Sequence, residues 1–235
     1  MKFVLMVEGE TEDQNVAEFL KKGIDPYFER AVGIKTVRFS GWKDLYKDAP
    51  SRAAAYLTDP GKDDIVAVLS LLDLYGPEIY PADLTSARER HQWGVRHMHE
   101  RFEKHLSDKR IDAALTEKYR HFFAVHETEA WLIASPQHHP QEIKRSLESL
   151  GKPPEHVNFK QPPAKLLDYL HQKHYGRKYK KTTQGRNLFQ KNNAPEVARF
   201  CPFLNAMLID MRRLVVQAGI ANIHDVEQPL PEDVK

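Results

Sequence analysis

The stretch DIVAVLSLLD, residues 64–73, is aliphatic almost without a break, and it constrains the fold more than any other part of the chain. It is short for a buried helix and lacks polar alternation, so it reads as a strand covered on both faces, the pattern of a parallel sheet. Phe3 to Val7 is a second run of this kind, and KTVRFS (35–40) and HFFAVHE (121–127) read as two more strands. Helical patterns separate them. One starts at Thr11 and runs through about Lys22, with Val16, Phe19 and Leu20 on one face and Gly23 closing it. The others cover DLYKDAPSRAAAYL (44–57) and a long polar segment from about Leu84 to Lys109. This alternation predicts an α/β fold with a mainly parallel sheet flanked by helices.

Composition shifts near residue 135. SPQHHP (135–140) and GKPPEHVNFKQPP (151–163) carry turn and proline signals, and short amphipathic helices without strand patterns follow. The expected organisation is an α/β domain over 1–135, a basic helical region packed on it over 136–225, and a loosely ordered tail over 226–235. The chain is long enough for a sizeable core. Its net charge is only +2, so any electropositive surface must be local. Cys201 is alone, which leaves no intramolecular disulfide and no cysteine zinc cluster. The N-terminal apolar run is short and ends in acid, unlike a signal peptide, and no stretch approaches the roughly 20 apolar residues of a membrane span. The expectation is a soluble cytoplasmic protein with no membrane partner.

Acids stand where the strands end. Glu8 follows the first, Asp73 closes the third, and Glu127 and Glu129 follow the fourth; VEGETED also packs Glu10, Glu12 and Asp13 behind Glu8. Each strand-end acid taken singly reads as a cap on the next helix. Together they lie where open parallel sheets bind ligands, outside the carboxyl ends of the strands. The adjoining strand residues offer no Arg or Lys, so a divalent cation is the economical neutraliser, and oxygen-only donors suit Mg²⁺ or Mn²⁺ rather than zinc.

VEGETE after the first strand, DLYG after the third and HETEAWL after the fourth resemble the Toprim superfamily, the metal-binding domain of topoisomerases, primases and the OLD (overcoming lysogenisation defect) nucleases. More narrowly, the chain resembles a bacterial family catalogued as a domain of unknown function. Asp73, Tyr75, Gly76 and Pro81 match its D-x-Y-G-x-x-x-x-P pattern, and His126, Glu127, Glu129, Ala130 and Leu132 its H-E-x-E-A-x-L. PPAKLL (162–167), YKKTTQG (179–185) and CPFLNAML (201–208) resemble that family's later segments, so the likeness spans nearly the whole chain. It implies a Toprim-like fold, a metal held by Glu8, Asp73 and Glu129, and phosphodiester hydrolysis of DNA or RNA, tRNA among the candidates. The usual second Toprim motif is Asp-x-Asp, whereas this chain has Asp73-Leu74-Tyr75. Either Glu127 or Glu129 is then the second anchor, or one metal is held tightly, or the domain is catalytically silent.

In that chemistry Glu12 or Glu127 takes a proton from the attacking water, and His126 orients Glu129 or protonates a leaving oxygen. Residues 160–186 supply positive charge, with Lys160, Lys165, Lys173, Arg177, Lys178, Lys180, Lys181 and Arg186 against Asp168 alone. Tyr169, His171, His174, Tyr175 and Tyr179 are interleaved for base stacking. Lys181, at the family-like Tyr-x-Lys position, is the first choice for a phosphate or transition-state contact, and Lys165 the second; Lys178, Lys180 and Arg186 complete the candidate nucleic-acid surface. His91, His97, His99 and His105 read as surface residues of the long helix. Trp131 reads as helix core, and Cys201 as a buried small hydrophobe. Two function classes follow. One is a metal-dependent nuclease, the effector of an antiviral defence system working with a separate ABC-type ATPase, since no Walker motif is present here. The other is a non-catalytic adaptor that binds an ATPase or nucleic acid. A homodimer is compatible with either.

Overall fold

The computed structural model describes residues 1–61, 63–156 and 161–229, with backbone alone for 10–14. Four strands, β1 (Lys2–Val7), β2 (Gly33–Arg38), β3 (Ile65–Asp73) and β4 (Tyr119–Ala124), form one sheet in the order β2-β1-β3-β4, with every neighbouring pair parallel. Every residue of β3 is buried, which is why its sequence is continuous rather than alternating.

Alternate side chains of the central strands feed two cores. Leu5, Val7, Leu69 and Leu71 face one, Val4, Met6, Val68 and Leu72 the other. Helices α2 (Trp42–Thr58) and α3 (Ala87–Lys109) cover the second core through Leu45, Ala49, Met98 and Phe102. The first is covered by α1 (Glu10–Lys22) together with helices from beyond residue 135. Those are α5 (Gln141–Glu148), α6 (Pro163–Tyr175), α7 (Arg186–Lys191), α8 (Ala194–Ala198) and α9 (Pro202–Gln217), preceded by the short α4 (Glu129–Ile133). Leu204, Met207, Leu208 and Met211 of α9 share that core with Val16, Phe19 and Leu20 of α1, so the C-terminal helices complete the layer α1 begins. Trp131 lies in it, stacked on Phe19 at 5.6 Å between centroids, and Cys201 is buried as expected.

Boundaries differ from the sequence expectation in instructive ways. β2 begins at Gly33 rather than Lys35, because pairing with β1 starts at Lys2↔Gly33. α3 begins at Ala87 rather than near Leu84, since Ser86 and Glu89 form a reciprocal capping box. β4 ends at Ala124, and the chain then stays in register with the residues after β3: Leu74 N donates to Ala124 O and Tyr75 N to His126 O, both at 2.9 Å. Residues 226–229 are tied down, with Arg212 donating to Val226 O and Tyr27 to Gln228 O; residues 230–235 and Lys160 lie outside the described residues. Among the described residues no helix is long and apolar enough to cross a membrane.

Candidate functional site

Parallel pairing brings the strand-end acids to one edge. Met6 pairs with Ser70 and Asp73 with Ala124, so Glu8, Asp73 and the 126–129 segment leave neighbouring strands at the same end of the sheet. Asp73 is 9% exposed, and its Oδ1 accepts the backbone N–H of Thr128 at 3.0 Å. Thr128 Oγ1 in turn donates to Glu129 Oε2 at 3.5 Å. One buried threonine therefore fixes the relative position of two carboxylates from different elements. Glu8 is half-buried just past β1. Burial pushes the Tyr80 phenol up; the Arg90 charge opposes this, and Asp73 and Glu8 both add to it, so Tyr80 stands in the field of the two acids. Its hydroxyl donates to Leu74 O at 3.3 Å, and the Arg90 guanidinium lies 5.3 Å from its ring centroid.

Glu129, the first residue of α4, is 1% exposed, and the Lys181 ammonium stands 3.4 Å from its Oε1. A buried carboxylate needs such a counter-charge. The counter-charge comes from the C-terminal region, from the lysine that the sequence places first for a phosphate contact. Lys181 opens a π-helical turn, Lys181–Gly185, of the kind that recurs at functional sites.

Glu127 spends one oxygen on structure: Oε2 accepts the N–H of Ala164 at 2.8 Å, capping the start of α6. Burial raises its pKa, the Ala164 bond opposes that, Glu129 raises it further, and Lys181 and Lys165 lower it. Lys165 and Lys181 thus both reach the acid edge electrostatically. Lys178, Lys180 and Arg186 are exposed. His126 is buried; burial and then the charge of His156 lower its pKa, so it is neutral at physiological pH. The side chain of Glu12, like those of Glu10 and Asp13, lies outside the described residues.

Two expected stacking residues serve packing instead: Tyr179 and His171 are buried, whereas Tyr169 and Tyr175 are exposed, the latter donating to Glu142 at 2.5 Å. His97 is half-buried between Tyr46 of α2 and Trp93 of its own helix, and half-buried His91 packs on Phe203, so each also contacts a neighbouring element. Residues the sequence did not single out include Thr128, inside the HETE motif itself, and Tyr80, one position before Pro81 of the matched pattern. Glu155 is another, buried and accepting the N–H groups of Phe203 and Leu204 at the start of α9.

Oxygen donors suit a hard cation, and the Lys181 ammonium against Glu129 shows that this edge accommodates positive charge. Among the described residues, no three His, Cys, Asp or Glu side chains stand close enough together to hold a metal. A cavity of about 1040 Å³ lies elsewhere, walled by Ile133, Leu147, Leu150 and Phe200, and none of the edge acids lines it.

Fold and site define an α/β protein with an all-parallel four-stranded sheet, a helical C-terminal part and an acidic carboxyl edge. Residues 7–212 match the family described as "Domain of unknown function (DUF4276)", and the chain belongs to that family. Among solved structures it is similar to the C-terminal region of the Burkholderia pseudomallei OLD protein, at 18% identity and a TM-score of 0.43, covering 91% of this chain and 98% of that one. No curated protein matches.

Proposed function

We propose that the acid edge is a Toprim-like metal site and that the protein is a Mg²⁺- or Mn²⁺-dependent nuclease cleaving phosphodiesters of DNA or RNA. The observation that carries this reading is the unit Asp73–Thr128–Glu129, with a lysine ammonium 3.4 Å from the second carboxylate, at the carboxyl edge of a parallel sheet. Glu8, Asp73 and Glu129, which share the edge without being gathered at metal-binding distance, are the proposed ligands and would draw together around the cation. The cation's contribution is to lower the pKa of a bound water and to offset charge on the phosphate. The protein's own residues do the rest. Thr128 orients two of the carboxylates, and Glu127, raised by burial, takes the water's proton. Lys181 and Lys165 draw in the phosphate, and exposed Lys178, Lys180 and Arg186 extend the track for the strand. His126, neutral and buried, supports the Glu127–Glu129 segment from within. The cellular role that goes with this activity is antiviral defence in the cytoplasm beside a separate ABC-type ATPase.

A second reading, a non-catalytic adaptor for an ATPase or nucleic acid, is favoured by one observation: Glu129 already has a lysine counter-charge. Incubating the purified protein with plasmid, single-stranded DNA and tRNA in Mg²⁺ or Mn²⁺, then in EDTA, separates the two. The nuclease reading expects metal-dependent cleavage of at least one substrate, abolished by Asp73→Asn. Binding without cleavage in every buffer supports the adaptor.

A further inference from the structure

We propose that the cavity of about 1040 Å³ between α5, α8 and α9 is a binding site for a small organic acid, one carboxylate on an apolar body, with the Arg212 guanidinium as the carboxylate's partner. The site is separate from the acid edge, and the proposal does not depend on the nuclease reading.

Arg212 is the first observation. It lines the cavity from α9 and is 3% exposed, yet among the described residues no carboxylate pairs with it. Its Nε donates to Gly23 O at 3.0 Å and its Nη1 to Val226 O at 2.9 Å, and the guanidinium stands 3.9 Å from the Tyr27 ring centroid. Two carbonyls and a ring fix the group in place without neutralising it, and a charge buried without a counter-charge is costly. The acids nearby are engaged elsewhere. Glu227, on the same cavity wall, is held by Arg213 at 2.7 Å, and Glu148 lies 3.8 Å from Lys144. Burial lowers the pKa of Arg212, opposed by the Tyr27 phenol and by no carboxylate among the described residues. A guanidinium carries more N–H donors than the two used here, and its planar fork matches a carboxylate.

The walls are the second observation. Tyr27, Ile133, Leu147 and Leu150 give the cavity an apolar lining, and Phe200, 57% exposed, adds an aromatic ring that the fold itself does not cover. An apolar enclosure with a few fixed polar groups is the usual build of a small-molecule site, and this volume stands at the upper end of the roughly 300–1,000 Å³ such sites span. Exposed Lys152 and Arg199 also line it and favour the approach of an anion. One buried guanidinium balances one negative charge, which selects a carboxylate over a doubly charged phosphate.

The test uses the full chain with 4-phenylbutyrate and 4-phenylbutanol as probes, which share an aromatic body and differ in the charged end. Calorimetric titration of the wild type should show saturable binding of the acid, about tenfold or more tighter than the alcohol, the scale of a charge-assisted hydrogen-bonded contact. Arg212→Met should remove that preference. Phe200→Glu, a change at an exposed position that leaves the Arg212 contacts intact, should weaken the acid by about tenfold through lost apolar wall and like-charge repulsion. If Arg212→Met does not fold by circular dichroism, the wild-type preference and the Phe200→Glu loss decide the matter. Wild type that binds neither probe, or both equally, overturns the inference. So does a folded Arg212→Met that keeps the preference, or a Phe200→Glu that binds the acid as tightly as wild type.

Discussion

Removing Lys181 should destabilise the metal-free protein, and removing Glu129 as well should restore most of the loss. At 3.4 Å the gross attraction is 332/(20 × 3.4), about 5 kcal/mol at an effective dielectric constant near 20. Desolvation of Glu129 offsets much of this, and the part-exposed lysine is screened by water. What remains when Lys181→Met leaves the carboxylate alone is about 2–3 kcal/mol, below the roughly 3–5 typical of fully buried pairs. In a chain of this size that lowers the melting temperature by about 4–12 °C. Glu129→Gln should cost about 1 kcal/mol, and the double variant little more, giving a coupling of about 2 kcal/mol in the cycle. The assay is urea unfolding at pH 7 in EDTA. A Lys181→Met loss below about 0.5 kcal/mol, or strictly additive losses, would refute the view that this lysine is the counter-charge of a buried carboxylate.

Burial holds His91 and His139 down at about 4 and His121 at about 3. Unfolded histidines take up protons below about pH 6.5, so this contribution to stability is complete above that pH and is lost as pH falls toward 4. Melting temperatures at pH 4.5, 5.5 and 7 should rise in that order, least steeply in His91→Phe. Glu155 runs the other way. Burial pushes it up to about 7 against the bonds from Phe203 and Leu204, so its contribution is greatest at low pH and is lost between about pH 4.5 and 7. The melting temperature of Glu155→Gln relative to wild type should therefore be higher at pH 8 than at pH 5. At Gly94 an added Cβ would meet the Phe123 ring at 2.5 Å, so Gly94→Ala should cost about 1–3 kcal/mol by calorimetry through overpacking of α3 on β4.

The sheet was legible because strands buried on both faces must be apolar throughout, as in DIVAVLSLLD, and the acids stood out because they interrupt that requirement at its end. Their placement at one edge follows from parallel pairing, which puts every carboxyl terminus of the sheet on the same side. The same logic does not reach partners distant in the chain. Lys181 could be singled out by its motif, but its place at Glu129 depends on how the 181–185 turn packs against α4, which no local pattern encodes. The basic segment misled in part for a related reason. Tyr179 and His171 look like stacking residues in the sequence, yet their rings also serve as core, and only packing decides which use wins. The ring contacts that His91 and His97 make gave no sign on so polar a helix. Glu155, capping a helix that begins at Pro202, lies too far along the chain for a capping signal to be read.

The central claim is that Glu8, Asp73 and Glu129 act together as one cation site. Calorimetric titration of Mn²⁺ into the wild type and into Glu8→Gln and Asp73→Asn measures this directly. Each substitution keeps the side chain's size and removes one charge, so the account predicts saturable binding in the wild type and its loss in both variants, with each variant still folded by circular dichroism. Wild-type protein that binds no Mn²⁺, or variants that bind it as tightly as wild type, would contradict it.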